Sequence, residues 1–338
     1  MTADNYSLDL DDIIRKSHKE FKEYLKKAGI EIEGIRLRVL ESPNLLKELY
    51  HMIKTSDDKN KLKQELNTID KSLLEQISDD DIYIIKKENL GEFYIHEMYL
   101  LGQIFNIDNI NELNNKILKY IVNRIVYHTE NNELVDGISV PETKEIYIIK
   151  DRLEKRINET SNRLGSININ GPSIIRLKLP LSDVIYIPLY TEGKNIKEDV
   201  AKAYAGNIIA HEGGHHIVDR KKRDDGEFSA STLQYIMYID MHDLLKHSET
   251  YEIIKENIIK CKEYVGTLAM LGYHTAIGDF QEDLLKYVVN VLKRAPYELG
   301  ECYANIIIDR NKNLNIKDVV EEVKNLSPLN VINKIIFY

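Results

Sequence analysis

Residues 207–219 read NIIAHEGGHHIVD, and within them His211, Glu212 and His215 stand in the order His-Glu-x-x-His. Four residues of α-helix turn through about 400° and climb roughly 6 Å, so both imidazoles leave the same face. Two neutral imidazoles at that spacing can hold one tetrahedral zinc ion and leave positions for a further protein ligand and a water. Glu212, one step round the helix, cannot easily reach the same position on the metal. It can reach the water instead and take its proton, which metal binding makes more acidic.

The bland alternative is a chance pattern on a solvated helix face. Among 338 residues with 10 histidines, chance produces it with a frequency on the order of a few percent. The surroundings argue against chance. NIIA before the motif and HIV at its end make the helix too apolar for a surface position, and burying two imidazoles and a carboxylate without a purpose is costly. Gly213 and Gly214 in mid-helix each cost about 1 kcal/mol relative to alanine; a close approach by another segment or by a substrate would explain them. A second pair, His96-Glu97 in HEMYL, is followed by Leu100 where another histidine would stand, and reads as structural.

With these residues the chain resembles the zincin metallopeptidases, in which a helix carrying His-Glu-x-x-His follows a small sheet whose edge strand holds the peptide substrate. HEGGHHIVD matches H-E-x-G-H-x-(V/I)-x-D and is similar to the motif of the anthrax lethal factor and Pro-Pro endopeptidase group. The resemblance covers one helix and a short later motif. It implies a gluzincin-type zinc peptidase with His211 and His215 as zinc ligands, Glu212 as general base, and a peptide or protein as substrate. Asp219, one turn after His215, reads either as a carboxylate that fixes the site from outside or as an exposed C-terminal residue. A non-catalytic adaptor of the same fold, with a structural or vestigial metal site, is the alternative. Glu212 separates the two, because an adaptor gains nothing from a carboxylate aimed at water on the metal.

The third ligand is less plainly marked. The elongated metzincin motif needs a histidine where Lys221 stands, and peptide deformylases take an upstream thiolate, whereas Cys261 and Cys302 both lie downstream. What is left is a carboxylate or a histidine on a later helix. Asp279 and Glu282 read as a helix cap and capping box. Glu298 falls in a first helical turn if Pro296 opens that helix, where the dipole favours acids. Asp240, His242 and Asp243 fit the polar side of an amphipathic helix. Glu301 stands between Gly300 and Cys302, with apolar Tyr303, Ala304, Ile306 and Ile307 after it, and has no such local role. It is the expected third ligand, with Glu298, Asp240, His242 and Glu282 left open. GECYANI is also similar to the small-Glu-small-aromatic pattern around the third ligand of lethal-factor-like enzymes, although their glutamate follows the second histidine sooner. In that group a tyrosine upstream on the same face is implied to stabilise the oxyanion. Tyr297 takes that place here, with Tyr273, His274 and His216 as rivals.

Around this motif the elements follow from periodicity. LDLDDIIRKSHKEFKEYLKKA, SPNLLKELYHMIK, KLKQELNTIDKSLLEQI and IDNINELNNKILKYIVNRIVYH have helical spacing, and IEIEGIRLRVL alternates like a strand. KEIYIIK, SIIRLKL and DVIYIPLY are short β-rich runs separated by turn signals, and from Ile196 onward the pattern is almost wholly helical. The expected class is α+β, predominantly α: a small central β-sheet, then the active-site helix, then a helical C-terminal half. Residues 1–135 are expected as a helical substrate- or partner-docking region and 136–338 as the zincin-like domain.

Composition limits the partners. Hydrophobic residues at 43% and charged residues at 30% describe a soluble globular chain. The formal charge of −9 argues against a general binder of nucleic acid or anionic membrane. No apolar run reaches the roughly 18 residues of a membrane span, and the acidic N-terminus lacks a signal core. Two cysteines are too few for a disulfide scaffold and fit a reducing compartment. A cytoplasmic location is therefore expected; nothing in the sequence sets an oligomeric state.

Overall fold

The computed structural model of the chain describes residues 8–30, 32, 34–55, 82–125, 136–165, 173–178, 184–189, 196–218, 223–277, 282–311 and 314–338. Helix α1 (Leu10–Lys27) opens on Asp9, whose carboxylate accepts the Asp12 amide at 3.1 Å. Asp11 and Asp12 in its first turn and Lys26 and Lys27 in its last oppose the helix dipole. Its stripe of Leu10, Ile13, Ile14, Phe21 and Leu25 is buried. The chain then forms a second compact unit over Ile32–Glu159, while the first unit comprises residues 1–31 with 160–338.

The unit at Ile32–Glu159 is built on a four-stranded sheet in the order β2-β1-β4-β3. Strand β1 (Arg36–Leu40) is followed by helix α2 (Asn44–Thr55) and β2 (Ile82–Ile85). Helices α3 (Leu90–Phe105) and α4 (Ile110–Ile117) come next, the latter continuing into a π-helical turn at Leu118–Val122. Strands β3 (Gly137–Val140) and β4 (Glu145–Ile149) close the sheet, and helix α5 (Lys150–Leu164) follows, with the unit boundary inside it. β1 pairs in parallel with β2 and β4, and β3 is antiparallel to β4. Leu40, Ile138, Val140, Tyr147 and Ile149 of the sheet bury against Leu46, Leu49, Phe93, Met98, Leu101 and Ile117 of the helices.

The same layer holds charges. Alternation puts Arg36, Arg38, Tyr83, Glu145 and Tyr147 on one face, because Arg38 lies opposite both Tyr83 and Tyr147, and Arg36 opposite Glu145. Arg38 Nε donates to Glu145 Oε1 at 2.7 Å, Tyr147 donates to Glu145 Oε2 at 3.2 Å, and α3 adds His96 and Glu97, joined Nδ1 to Oε1 at 3.2 Å. Arg38, Glu97, Glu145, His96 and Tyr147 are all fully buried. Burial pushes both carboxyls upward. At Glu145 the guanidinium groups of Arg38 and Arg36 outweigh it and hold the carboxyl below its usual range, whereas at Glu97 burial and the neighbouring Glu145 charge win and raise it.

The remaining elements belong to the first unit. Strands β5 (Ser173–Lys178) and β6 (Val184–Leu189) form a two-stranded antiparallel sheet. Helix α6 (Ile196–Ile217) carries the His-Glu-x-x-His motif and lies against β6 and α1. Helix α7 (Arg223–Met241) runs back along it, so that Gly206 faces Tyr238 and Gly214 faces Ala230. A 3-10 turn at Leu244–Lys246 leads to the long helices α8 (Ser248–Ile277) and α9 (Glu282–Arg310), and then α10 (Ile316–Lys324) and α11 (Pro328–Ile336).

The class is α+β and predominantly helical, as expected. The three β-rich runs do not share one central sheet: KEIYIIK is β4 of the Ile32–Glu159 unit, whereas SIIRLKL and DVIYIPLY are β5 and β6 of the other. The boundary expected near residue 135 falls inside a compact unit, because β3 and β4 complete the sheet that β1 begins. That pairing joins distant stretches of chain, so local composition does not reveal it. The run KLKQELNTIDKSLLEQI lies outside the described residues. Cys261 on α8 and Cys302 on α9 are bonded to each other, Cα to Cα 5.5 Å, which removes the argument from free thiols for a reducing compartment. Among the described residues no helix is long and apolar enough to cross a membrane.

Two stability predictions follow from this packing. Arg38→Met leaves Glu145 buried without its main counter-charge and should cost about 3–5 kcal/mol in denaturant unfolding, much of it recovered in the double variant with Glu145→Gln. The Cys261–Cys302 bond closes a separation of 41 residues, so Cys261→Ser with Cys302→Ser should lower stability by about 2–4 kcal/mol. Equal stability of the oxidised and reduced protein would refute the second.

Candidate metal centre

Helix α6 is buried along nearly all its faces, from Val200 and Ala201 through Tyr204, Ile209 and Ala210 to Ile217. His211 and Glu212 are 8% and 9% exposed, and the His215 side chain 19%, so the motif lies in a core wall and not on an open helix face. The two glycines inside it have packing roles. A Cβ at Gly213 would lie 2.5 Å from Phe21 Cε1 of α1, and one at Gly214 would lie 3.0 Å from Ala230 Cα of α7. Helix–helix contact therefore accounts for both, and they carry no message about substrate.

The antiparallel return of α7 brings a third donor to the histidines. Glu227 Oε2 stands 3.3 Å from His211 Nε2 and 3.4 Å from His215 Nε2. The ligand atoms of these three residues lie within 4.8 Å of one another, and this is the group among the described residues that could hold a metal ion. Donors 2.0–2.1 Å from a tetrahedral ion are about 3.3–3.4 Å apart, the spacing seen from Glu227 to both histidines. The carboxylate alone would accept hard cations as well, but two imidazoles suit zinc and other first-row transition metals more than magnesium or calcium. Burial pushes the Glu227 carboxyl up, but the charge of His215 and the hydrogen bonds from both imidazoles outweigh it and hold the carboxyl well below the usual range.

Glu227 was not among the expected ligands. It follows the motif within DRKKRDDGEF, a turn-forming polar stretch, and a helix that doubles back there must set its early residues against the last turns of α6. That is the signal by which the sequence could have indicated it. Glu301 is buried, 7% exposed on α9, but it is not one of the three converging residues. Its flanks explain the burial without a metal: Gly300 lets α9 close on α7, where a Cβ would lie 2.7 Å from the Phe228 carbonyl oxygen, and Cys302 is tied to Cys261. Glu298 does not stand at a helix start, because α9 runs unbroken from Glu282 to Arg310 with Pro296 inside it.

The other candidates separate by position. Asp240 and His242 lie at the opposite end of α7 from Glu227; Asp240 accepts from Tyr24 at 2.7 Å, and burial lowers the pKa of His242, whose ring packs on Tyr238. Tyr297 sits beside the histidines, its ring nearly parallel to that of His211 with centroids 6.0 Å apart. Tyr273 is 65% exposed, and His216 is half-buried on α6. Asp219, Asp279 and the side chains of His274 and Glu282 lie outside the described residues. No protein-family model, curated protein or solved structure matches this chain.

Removal of any of the three converging side chains should abolish tight metal binding. In zinc titration by calorimetry, His211→Ala, His215→Ala and Glu227→Ala should each lose more than about 100-fold in affinity, and Glu301→Ala less than about threefold. The reverse ranking of Glu227 and Glu301 would return the third position to Glu301.

Proposed function

We propose that the chain is a zinc-dependent peptidase that hydrolyses peptide bonds of a peptide or protein. The observation that carries this reading is the convergence of His211, His215 and Glu227, the carboxylate 3.3 and 3.4 Å from the two imidazole nitrogens, directly beside Glu212. Zinc held by these three residues would supply Lewis acidity, acidifying a water and polarising the scissile carbonyl. Glu212, adjacent to His211 and almost buried, takes the proton of the attacking water on its carboxylate and passes it to the leaving amine. Tyr297, stacked beside His211, donates its phenolic hydrogen to the carbonyl oxygen as negative charge develops there. The backbone of β5 or β6 offers an edge on which an extended substrate can add as a strand.

In lethal-factor-like enzymes the third glutamate follows the second histidine sooner than Glu301 does here, and the case for Glu227 rests on its distances to the two histidines. Packing now explains Gly213 and Gly214, so the case for an enzyme over an adaptor rests on Glu212 and the metal trio.

The test is a broad peptide library read by mass spectrometry with the zinc-loaded protein. Glu212→Gln should keep zinc and fold and lose about 10²–10⁴ in hydrolysis rate, since an amide cannot accept the proton. Tyr297→Phe should lower kcat by about 10²–10³ with little change in KM. A zinc-loaded wild type that cleaves nothing would favour the adaptor.

A further inference from the structure

Three buried side chains behind the metal trio form a chain of hydrogen bonds with one possible direction. Asn207 is 2% exposed, Gln234 5% and His211 8%. The Asn207 amide lies 2.8 Å from the Ala203 carbonyl oxygen, one turn earlier on α6. Gln234 of α7 reaches Asn207 Oδ1 at 3.3 Å, and Gln234 Oε1 lies 3.0 Å from His211 Nδ1. A backbone carbonyl can only accept, so the Asn207 atom facing it must be Nδ2. That leaves Oδ1 toward Gln234, which must answer with Nε2. Gln234 then has only Oε1 to offer His211, and an oxygen can bond there only to a ring nitrogen that carries hydrogen.

We infer that Gln234 and Asn207 are positioning residues that lock His211 as the Nδ1–H tautomer and leave Nε2 bare, aimed at the site. The Nε2 lone pair then faces Glu227 Oε2, another acceptor, at 3.3 Å. With the ring neutral, two acceptors at that distance need a bridge, and either a second proton on the imidazole, as in the hydrogen bond to Glu227, or a metal cation supplies it. Histidine ligands commonly donate their second nitrogen to a carboxylate or a main-chain carbonyl, which needs no further orientation. Here the acceptor is a neutral amide that could turn over and present its donor. Asn207, anchored on Ala203, prevents that turn from one helical turn away. The lock itself is independent of the metal, while its consequence for affinity rests on the zinc reading above.

The test starts with ¹⁵N–¹H correlation spectra of the metal-free protein at a pH where His211 is neutral. The wild type should show the Nδ1–H pattern, whereas Asn207→Leu, which frees Gln234 to turn, and Gln234→Met should shift it toward Nε2–H. Gln234→Glu made together with Asn207→Leu, so that no second acceptor faces the carboxylate, can only accept from His211 and should keep Nδ1–H, which separates positioning from simple packing. In zinc titration Gln234→Met and Asn207→Leu should weaken binding about 10–100-fold, and Gln234→Glu combined with Asn207→Leu should hold wild-type affinity or better. An Nε2–H signal in the wild type, or wild-type zinc affinity in folded Gln234→Met and Asn207→Leu, would overturn the inference. A wild type that shows Nδ1–H but takes up no zinc would refute the metal reading and leave the lock intact.

Discussion

The site depends on how closely α6 and α7 pack as they run in opposite directions. Glu227 Oε2 can stand between the two Nε2 atoms only if the backbone of α7 approaches the last turns of α6, and Gly214 makes that possible by presenting no side chain to Ala230. The same contact sets Gln234 against His211 and Asn207. One interface therefore supplies both the carboxylate in front of His211 and the amide behind it. On the other side α1 presses Phe21 onto Gly213, so the motif helix is held from two directions. A larger residue at Gly214 must push α7 away, and the ligand spacing would go with it, whereas one at Gly213 must displace the Phe21 ring.

The two His-Glu pairs of this chain show how little a dipeptide decides. His96-Glu97 and His211-Glu212 both lie on helices and both are buried. Glu97 meets a layer where the charges of Arg38 and Glu145 face each other across paired strands. At His211 one carboxylate oxygen is shared by two imidazole nitrogens. The first pair is drawn into an internal ion-pair layer, the second into a group that could hold a metal ion.

Helix α9 shapes the remaining wall. It crosses α7 at Gly300, is tied to α8 through Cys302, and sets Tyr297 against the His211 ring. Pro296 has no amide hydrogen to give the Leu292 carbonyl, so the helical ladder loses a bond one residue before Tyr297. The helix nonetheless continues, because packing on α7 and α8 outweighs the local penalty.

The amino-acid sequence alone determined the predominantly helical class, the helix around residues 207–217 and its burial, and the common face of His211 and His215. These are local: they follow from a period of 3.6 residues, from the run NIIA and from a four-residue spacing. The sequence also pointed to Tyr297 as a neighbour of the histidines, through its similarity to a known motif. What it could not decide was which distant carboxylate completes the group. Glu301 was favoured for lacking a local role, but a close helix crossing and a disulfide account for its burial. Glu227, hidden in an ordinary acidic helix start, meets the histidines because α7 packs along α6 in the opposite direction. The division of the strands between two sheets, the purpose of the glycines and the direction of the Asn207–Gln234–His211 chain were likewise decided by tertiary structure. Each depends on atoms far apart in sequence and close in space, and no periodicity records such a distance.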